Sequence, residues 1–229
     1  MPDRFTLTDT STLSTRFSLP KGVPAGVKLS YNISPTKTIP VVLIENDERV
    51  MKRMKWGFVP TNAKDFNSVF RYKTHHARSE DVFSKPTWQG AVRTRRCLIP
   101  ASGFYEWRKA AGGKEAYYLQ PVDQPLFAFA GIYSEWTNAE GVTYGITAIV
   151  TTPSDSESDA IPSRLPVIVD SADEADWLNP TMSDVSTLLK IMRPLGPDQL
   201  RVTRVGDAIN SVKAKSSPAL IAPYLDSAR

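Results

Sequence analysis

The chain has 229 residues, 41% of them apolar and 23% charged, with 28 Lys and Arg against 24 Asp and Glu. That is ordinary globular composition with a mildly basic balance. No apolar run approaches the ~18 residues of a membrane span, and the N-terminus lacks a basic region followed by an apolar one, which predicts a soluble, cytoplasmic protein with no membrane partner. Its single cysteine, Cys97, excludes an intrachain disulfide, and the two histidines, His75 and His76, are adjacent and offer no zinc spacing; neither a metal nor a cofactor is expected.

In chain order, Thr8 or Asp9 starts a short helix through Phe17. Runs 41–44 and 50–58 flank the Asn46-Asp47 turn and predict a hairpin. Alternating segments at 97–100, 103–108, 116–120, 126–135, 143–152, 165–169 and 201–205 predict further strands, with a second hairpin turn at 138–141. Helical signals are fewer. Ser171-Ala172-Asp173-Glu174 has the form of a capping box before Ala175–Leu178, and Ser183 caps a helix over 184–192 whose Val185, Leu188, Leu189 and Met192 share a face. No Gly/Ser-rich or charged linker divides the chain. The prediction is one α+β domain over 1–229, a monomer, β-rich with a curved, partly closed sheet and a few short peripheral helices.

The stretch Arg95–Lys109 is the most informative. Glu106 sits there between Tyr105 and Trp107, close to Phe104, and is bracketed by basic residues. Desolvation favours a protonated carboxyl and makes Glu106 a candidate general acid/base near neutral pH. Aromatic faces and cationic grooves are also the two parts of a single-strand nucleic-acid site. A third reading places the aromatics in a core strand with Glu106 merely paired to an arginine. Between Arg71 and Lys109 nine Lys and Arg stand against Glu80, Asp81 and Glu106, so the excess positive charge concentrates in this segment. Cys97, between Arg96 and Leu98, reads as a small buried hydrophobe.

Eight segments in order resemble the SOS response-associated peptidase (SRAP) family, whose members recognise abasic sites in single-stranded DNA. They are Arg4-Phe5, Tyr31–Thr36, Lys55–Pro60, Ala77–Glu80, Arg96–Trp107, Val150–Thr152, Ser163–Val167 and Ala208–Val212. The resemblance implies a site in which a cysteine at position 2, exposed by removal of Met1, condenses through its amine and thiol with the sugar aldehyde to give a thiazolidine. An asparagine, a glutamate and a histidine assist. In this chain position 2 is Pro2, the next position is Asp3, the asparagine position is His76 and the histidine position is Pro162; Glu106 alone matches. Without a thiol at position 2 the thiazolidine cannot form there.

By the same resemblance Arg4, Trp56, Arg78, Trp107, Thr151 and Arg164 hold phosphates or stack near the abasic gap, which suits the planar guanidinium fork and sequence-tolerant aromatic stacking. The resemblance implies single-stranded or abasic DNA as partner, in a DNA-damage (SOS) context and nucleoid-associated when bound, without the covalent cross-link. Two alternatives stand beside it. The secondary amine of Pro2, once exposed, can attack an aldehyde while Glu106 shuttles protons, giving an abasic-site lyase. Or the fold serves a partner other than DNA. Adjacent strand residues point to opposite faces, so one of His75 and His76 is expected in the groove, with His76 a candidate base.

Overall fold

The computed structural model describes residues 3–59, 65–110, 113–154 and 162–225. Its strands and helices are β1 (Arg4–Leu7), α1 (Leu13–Arg16), β2 (Ser30–Ile33), β3 (Thr38–Glu45), β4 (Glu48–Trp56), α2 (Ser68–Tyr72), β5 (His76–Arg78), α3 (Pro86–Thr94), β6 (Arg96–Ala101), β7 (Gly103–Ala110), β8 (Gly113–Pro121), β9 (Phe127–Thr137), β10 (Thr143–Pro153), β11 (Arg164–Pro166), α4 (Glu174–Leu178), α5 (Val185–Ile191) and β12 (Leu200–Val205). The expected β-rich α+β class is what forms. The sheet goes further than partial closure: β4, β3, β6, β9 and β10 pair in a ring, because β10 joins β9 antiparallel and β4 parallel. Beyond the ring, β5 and β11 pair with the far end of β10. A second, five-stranded sheet runs β12-β8-β7-β1-β2.

Local chemistry fixes the joints. Asn46 and Asp47 both take positive φ (52° and 63°), the two left-handed residues of a tight hairpin turn between β3 and β4. At the β6–β7 corner the chain passes from ring to second sheet, and a side chain at Gly103 would lie 2.3 Å from the Tyr118 ring. Ser102 closes this corner against β1: its N–H donates to Thr6 O (2.8 Å) and its Oγ accepts from Thr8 N–H (3.0 Å). Strand alternation then divides β7. Phe104 enters the large core with Phe5 and Phe129, whereas Tyr105 enters a smaller cluster with Tyr118, Val205, Ile209 and Leu220.

Several helix expectations need correction. Ser171 does not cap α4; Asp173 occupies the cap position without a side-chain hydrogen bond. Glu174 is instead drawn inward, 2% exposed, where it accepts from Arg16 (2.7 Å) and Arg49 (3.1 Å) and so ties α1, β4 and α4 together. A buried carboxylate must be paired, and two guanidiniums outweigh a local cap. Asp184, not Ser183, caps α5, accepting from Ser186 and Thr187 N–H. The helix expected from Thr8 or Asp9 starts later, because Asp9 accepts from Ser11 N–H and from the hydroxyls of Ser11 and Thr12 in a turn of its own. Helices α2 and α3 had no sequence expectation.

Arg96, one of the nine cations of the 71–109 segment, does not contribute its charge to the surface. It is 2% exposed and donates to the carbonyls of Val92, Arg93, Trp177, Asn179 and Met182, clamping the ends of α3 and α4. Burial lowers its pKa to about 10. Its charge serves the fold.

Candidate functional site

Glu106 lies on β7 where β1 runs antiparallel beside it. Arg4 stands opposite Tyr105 and Phe5 opposite Phe104. Alternation therefore puts Asp3, Phe5, Phe104 and Glu106 on one face, and Arg4, Tyr105 and Trp107 on the other. This revises the first reading of the aromatic block: the two aromatics flanking Glu106 in sequence point away from it. What desolvates Glu106 is the ring side of the sheet. The residue is 7% exposed, and burial raises its carboxyl to about 7, with the nearby Asp3 charge acting in the same direction.

Below this face sits Trp56, at the end of β4. It is fully buried, packs edge-on against Phe5 at 5.1 Å, and donates its indole N–H to His75 O at 3.0 Å. Trp56 thus offers no face to a nucleic acid and acts as a floor. His75 and His76 both pack against it, with ring centroids 6.1 and 6.0 Å away. Gly57 turns the chain beyond Trp56 at φ 149°, where a side chain would strike Val69 of α2 at 2.7 Å.

The two histidines do not point to opposite faces. Both are buried and their ring centroids are 4.4 Å apart, because β5 begins only at His76 and His75 belongs to the preceding turn. His75 Nε2 meets Asp3 Oδ1 at 2.9 Å. Partial desolvation is the largest single influence and pushes the Asp3 carboxyl up, but the His75 hydrogen bond together with the charge interactions of His76 and His75 holds it below its ordinary value. The parallel pairing of β5 with β10 sets Ala77 against Val150 and Arg78 against Thr151. On the other side of β10, Pro153 faces Arg164.

The remaining predicted residues fall into two groups. Arg78 is exposed beside Thr151. Thr151 is fully buried; its hydroxyl lies 3.4 Å from Ala77 O and accepts from Arg164, so Thr151 orients the arginine. Arg164 grips Glu80 with both arms, at 2.6 and 2.8 Å, which holds the Glu80 carboxyl down at about 2. Arg4 and Trp107 lie on the opposite face of the second sheet. Arg4 is buried and donates to Asn32 Oδ1 (2.8 Å), Ile209 O (2.9 Å) and Ser211 O (3.3 Å), while Trp107 donates to Asn210 Oδ1 (2.6 Å). This pair secures the 207–210 turn. Pro162 is half-buried, and Pro2 lies outside the described residues.

Sequence reasoning passed over Asp3 and His75 as partners, and Phe70 and Tyr72 of α2, which are 56% and 59% exposed. The alternating Phe70-Arg71-Tyr72-Lys73 was the available signal for the latter pair. Cys97 is fully buried and its thiol is pushed up to about 12 by desolvation, an inert group as expected.

The sequence profile of the SOS response associated peptidase family matches residues 1–212. The chain belongs to this family. Among SRAP relatives, the abasic site processing protein YoqW of Bacillus subtilis is 32% identical over 224 residues, covering 96% of this chain and 99% of its own. The abasic site processing protein HMCES of Gallus gallus is 29% identical, covering 84% of this chain and 66% of its own. A crystal structure of a Bacteroides thetaiotaomicron protein superposes with a TM-score of 0.83 at 23% identity, over 97% of this chain and all of that one. A Bordetella bronchiseptica protein gives 0.74 at 21% identity, over 90% of this chain and all of that one; these two likenesses concern the fold alone. Within the SRAP frame, no helix of the described residues is long and apolar enough to cross a membrane.

Proposed function

We propose that this SRAP protein binds abasic sites in single-stranded DNA in a DNA-damage response setting, and does so without a thiazolidine cross-link. The observation that carries this reading is the replacement at position 2: proline has no thiol, so the five-membered sulfur ring has no atom to close it. DNA as partner is supported by the names of the relatives, by the exposed Arg78, and by the exposed Phe70, Arg71, Tyr72 and Lys73 that precede His75 and His76 in the chain. Exposed aromatic faces accept any base, and cations follow the backbone. Fluorescence anisotropy with an abasic single strand at several salt concentrations tests it. Log affinity should fall linearly with log salt, and Arg78→Ala should reduce the slope by about 0.7 if one phosphate contact is lost. A flat salt dependence removes the reading.

A second reading is favoured by one contact. Asp3, the neighbour of Pro2 in sequence, acts electrostatically on Glu106, so the acid/base group lies close to the start of β1. With Met1 removed, the Pro2 amine would form an iminium with the sugar aldehyde, and Glu106 would take the proton whose loss expels the 3′ phosphate. Borohydride should then trap a protein–DNA complex. Absence of trapping, or equal trapping by protein that retains Met1, excludes the lyase.

A further inference from the structure

Three donor groups converge at the mouth of the site from two distant parts of the chain. Asp3 arrives just ahead of β1, while His75 and His76 arrive with β5, and one ligand atom from each lies within 4.8 Å of the other two. Two imidazoles and one carboxylate are the donor set of open divalent transition-metal sites. A tetrahedral ion with bonds of 2.0–2.2 Å sets neighbouring ligand atoms about 3.4 Å apart, and Asp3 Oδ1 already stands 2.9 Å from His75 Nε2.

The histidines are held as ligands need to be. The His75 carbonyl accepts from both Trp56 Nε1 and Ile149 N–H, and both rings rest on Trp56. Buried imidazole Nδ1 of His75 has no hydrogen-bond partner among the described residues. The nitrogen turned toward Asp3 is Nε2, at 2.9 Å from Oδ1, so Nε2 is the atom that would ligate and the buried Nδ1 stays on the other side of the ring. The Asp3 side chain is 64% exposed, so the cluster is closed on the Trp56 side and open toward solvent.

We propose that Asp3, His75 and His76 bind one divalent transition-metal ion of the zinc class, with an open coordination position on the solvent side that accepts an anionic oxygen such as a phosphate. The site resolves an electrostatic difficulty, since a bare Asp3 carboxylate would repel a phosphodiester at the place where the ion would attract it. The sequence reading expected no metal because His75-His76 alone has no ligand spacing; the third donor is supplied by tertiary structure.

The test uses the full chain stripped with a chelator and titrated with Zn2+ against a chromogenic competitor, with Co2+ absorption as a second probe. One equivalent should bind per chain. Asp3→Ala and His76→Asn should each weaken binding by roughly tenfold or more, since even outer-shell partners are worth that much. Asp3 is exposed, so its variant keeps the fold, which circular dichroism verifies. Absence of a stoichiometric site, or unchanged affinity in either variant, overturns the proposal and leaves Asp3 and His75 as a simple pair. The readout needs no DNA, so failure here and failure of the DNA-binding reading are separable.

Discussion

Replacing Glu106 by Gln should make the protein's stability respond differently to pH. The carboxyl is raised by burial from 4.5 to about 7 in the folded state. A group whose folded pKa lies above its unfolded value contributes its full stability below the unfolded value, and that contribution is lost as pH rises through the folded one. Here the window runs from about pH 4.5 to about pH 7. At 1.36 kcal/mol per pH unit the loss amounts to roughly 3 kcal/mol. Glu106→Gln keeps the shape and removes the ionisation, so the variant should gain on the parent by roughly 3 kcal/mol between pH 4 and pH 8. Urea unfolding of both proteins at half-unit pH steps gives the difference directly, and titrations shared by the two proteins cancel. Parallel stability curves would refute the argument, because they would mean that Glu106 ionises in the fold as easily as in water.

Arg96→Met should destabilise by roughly 3 kcal/mol or more, since it leaves the carbonyls of Val92, Trp177 and Asn179 without their donor; urea unfolding checks this, and a loss below about 1 kcal/mol contradicts the clamp. Glu80→Gln releases Arg164 from its two-armed grip and should tighten single-strand binding by roughly two- to fivefold at low salt, the range of an exposed ion pair. Unchanged or weaker binding would separate Arg164 from the DNA path. Cys97 should resist maleimide in the native protein and react fully in denaturant, as burial and a thiol pushed up to about 12 require; rapid native labelling would contradict its place in the core.

Strands were legible where alternation and turn chemistry agreed. The β3–β4 hairpin follows from Asn46-Asp47, and β9 and β10 follow from their long apolar runs. Helices α2 and α3 were not legible, because α2 spans five residues and the helical spacing of α3 rests on one turn alone, Trp88, Ala91 and Val92. Glu174 looked like a capping residue since its spacing from Ser171 fits, but two distant arginines decide its place. The candidate site divides in the same way. Glu106 was readable from its block and its raised carboxyl was anticipated, yet the cause was misplaced, since Tyr105 and Trp107 lie on the other face of β7. The basic set split likewise: Arg78 and Arg164 flank Thr151, whereas Arg4 fastens the 207–210 turn. Strand alternation could have separated Arg4 from Glu106 only once the β1–β7 register was known. The Asp3–His75–His76 cluster is wholly tertiary, joining residues more than seventy positions apart.

Intact-mass spectrometry of the protein after incubation with an abasic single strand, without reductant and under denaturing conditions, tests the central claim most directly. The account predicts the unmodified protein mass alone, from a mixture in which native binding at low salt is measurable. A stable species at the summed mass of protein and DNA would contradict it, because Pro2 provides no thiol to make such an adduct permanent.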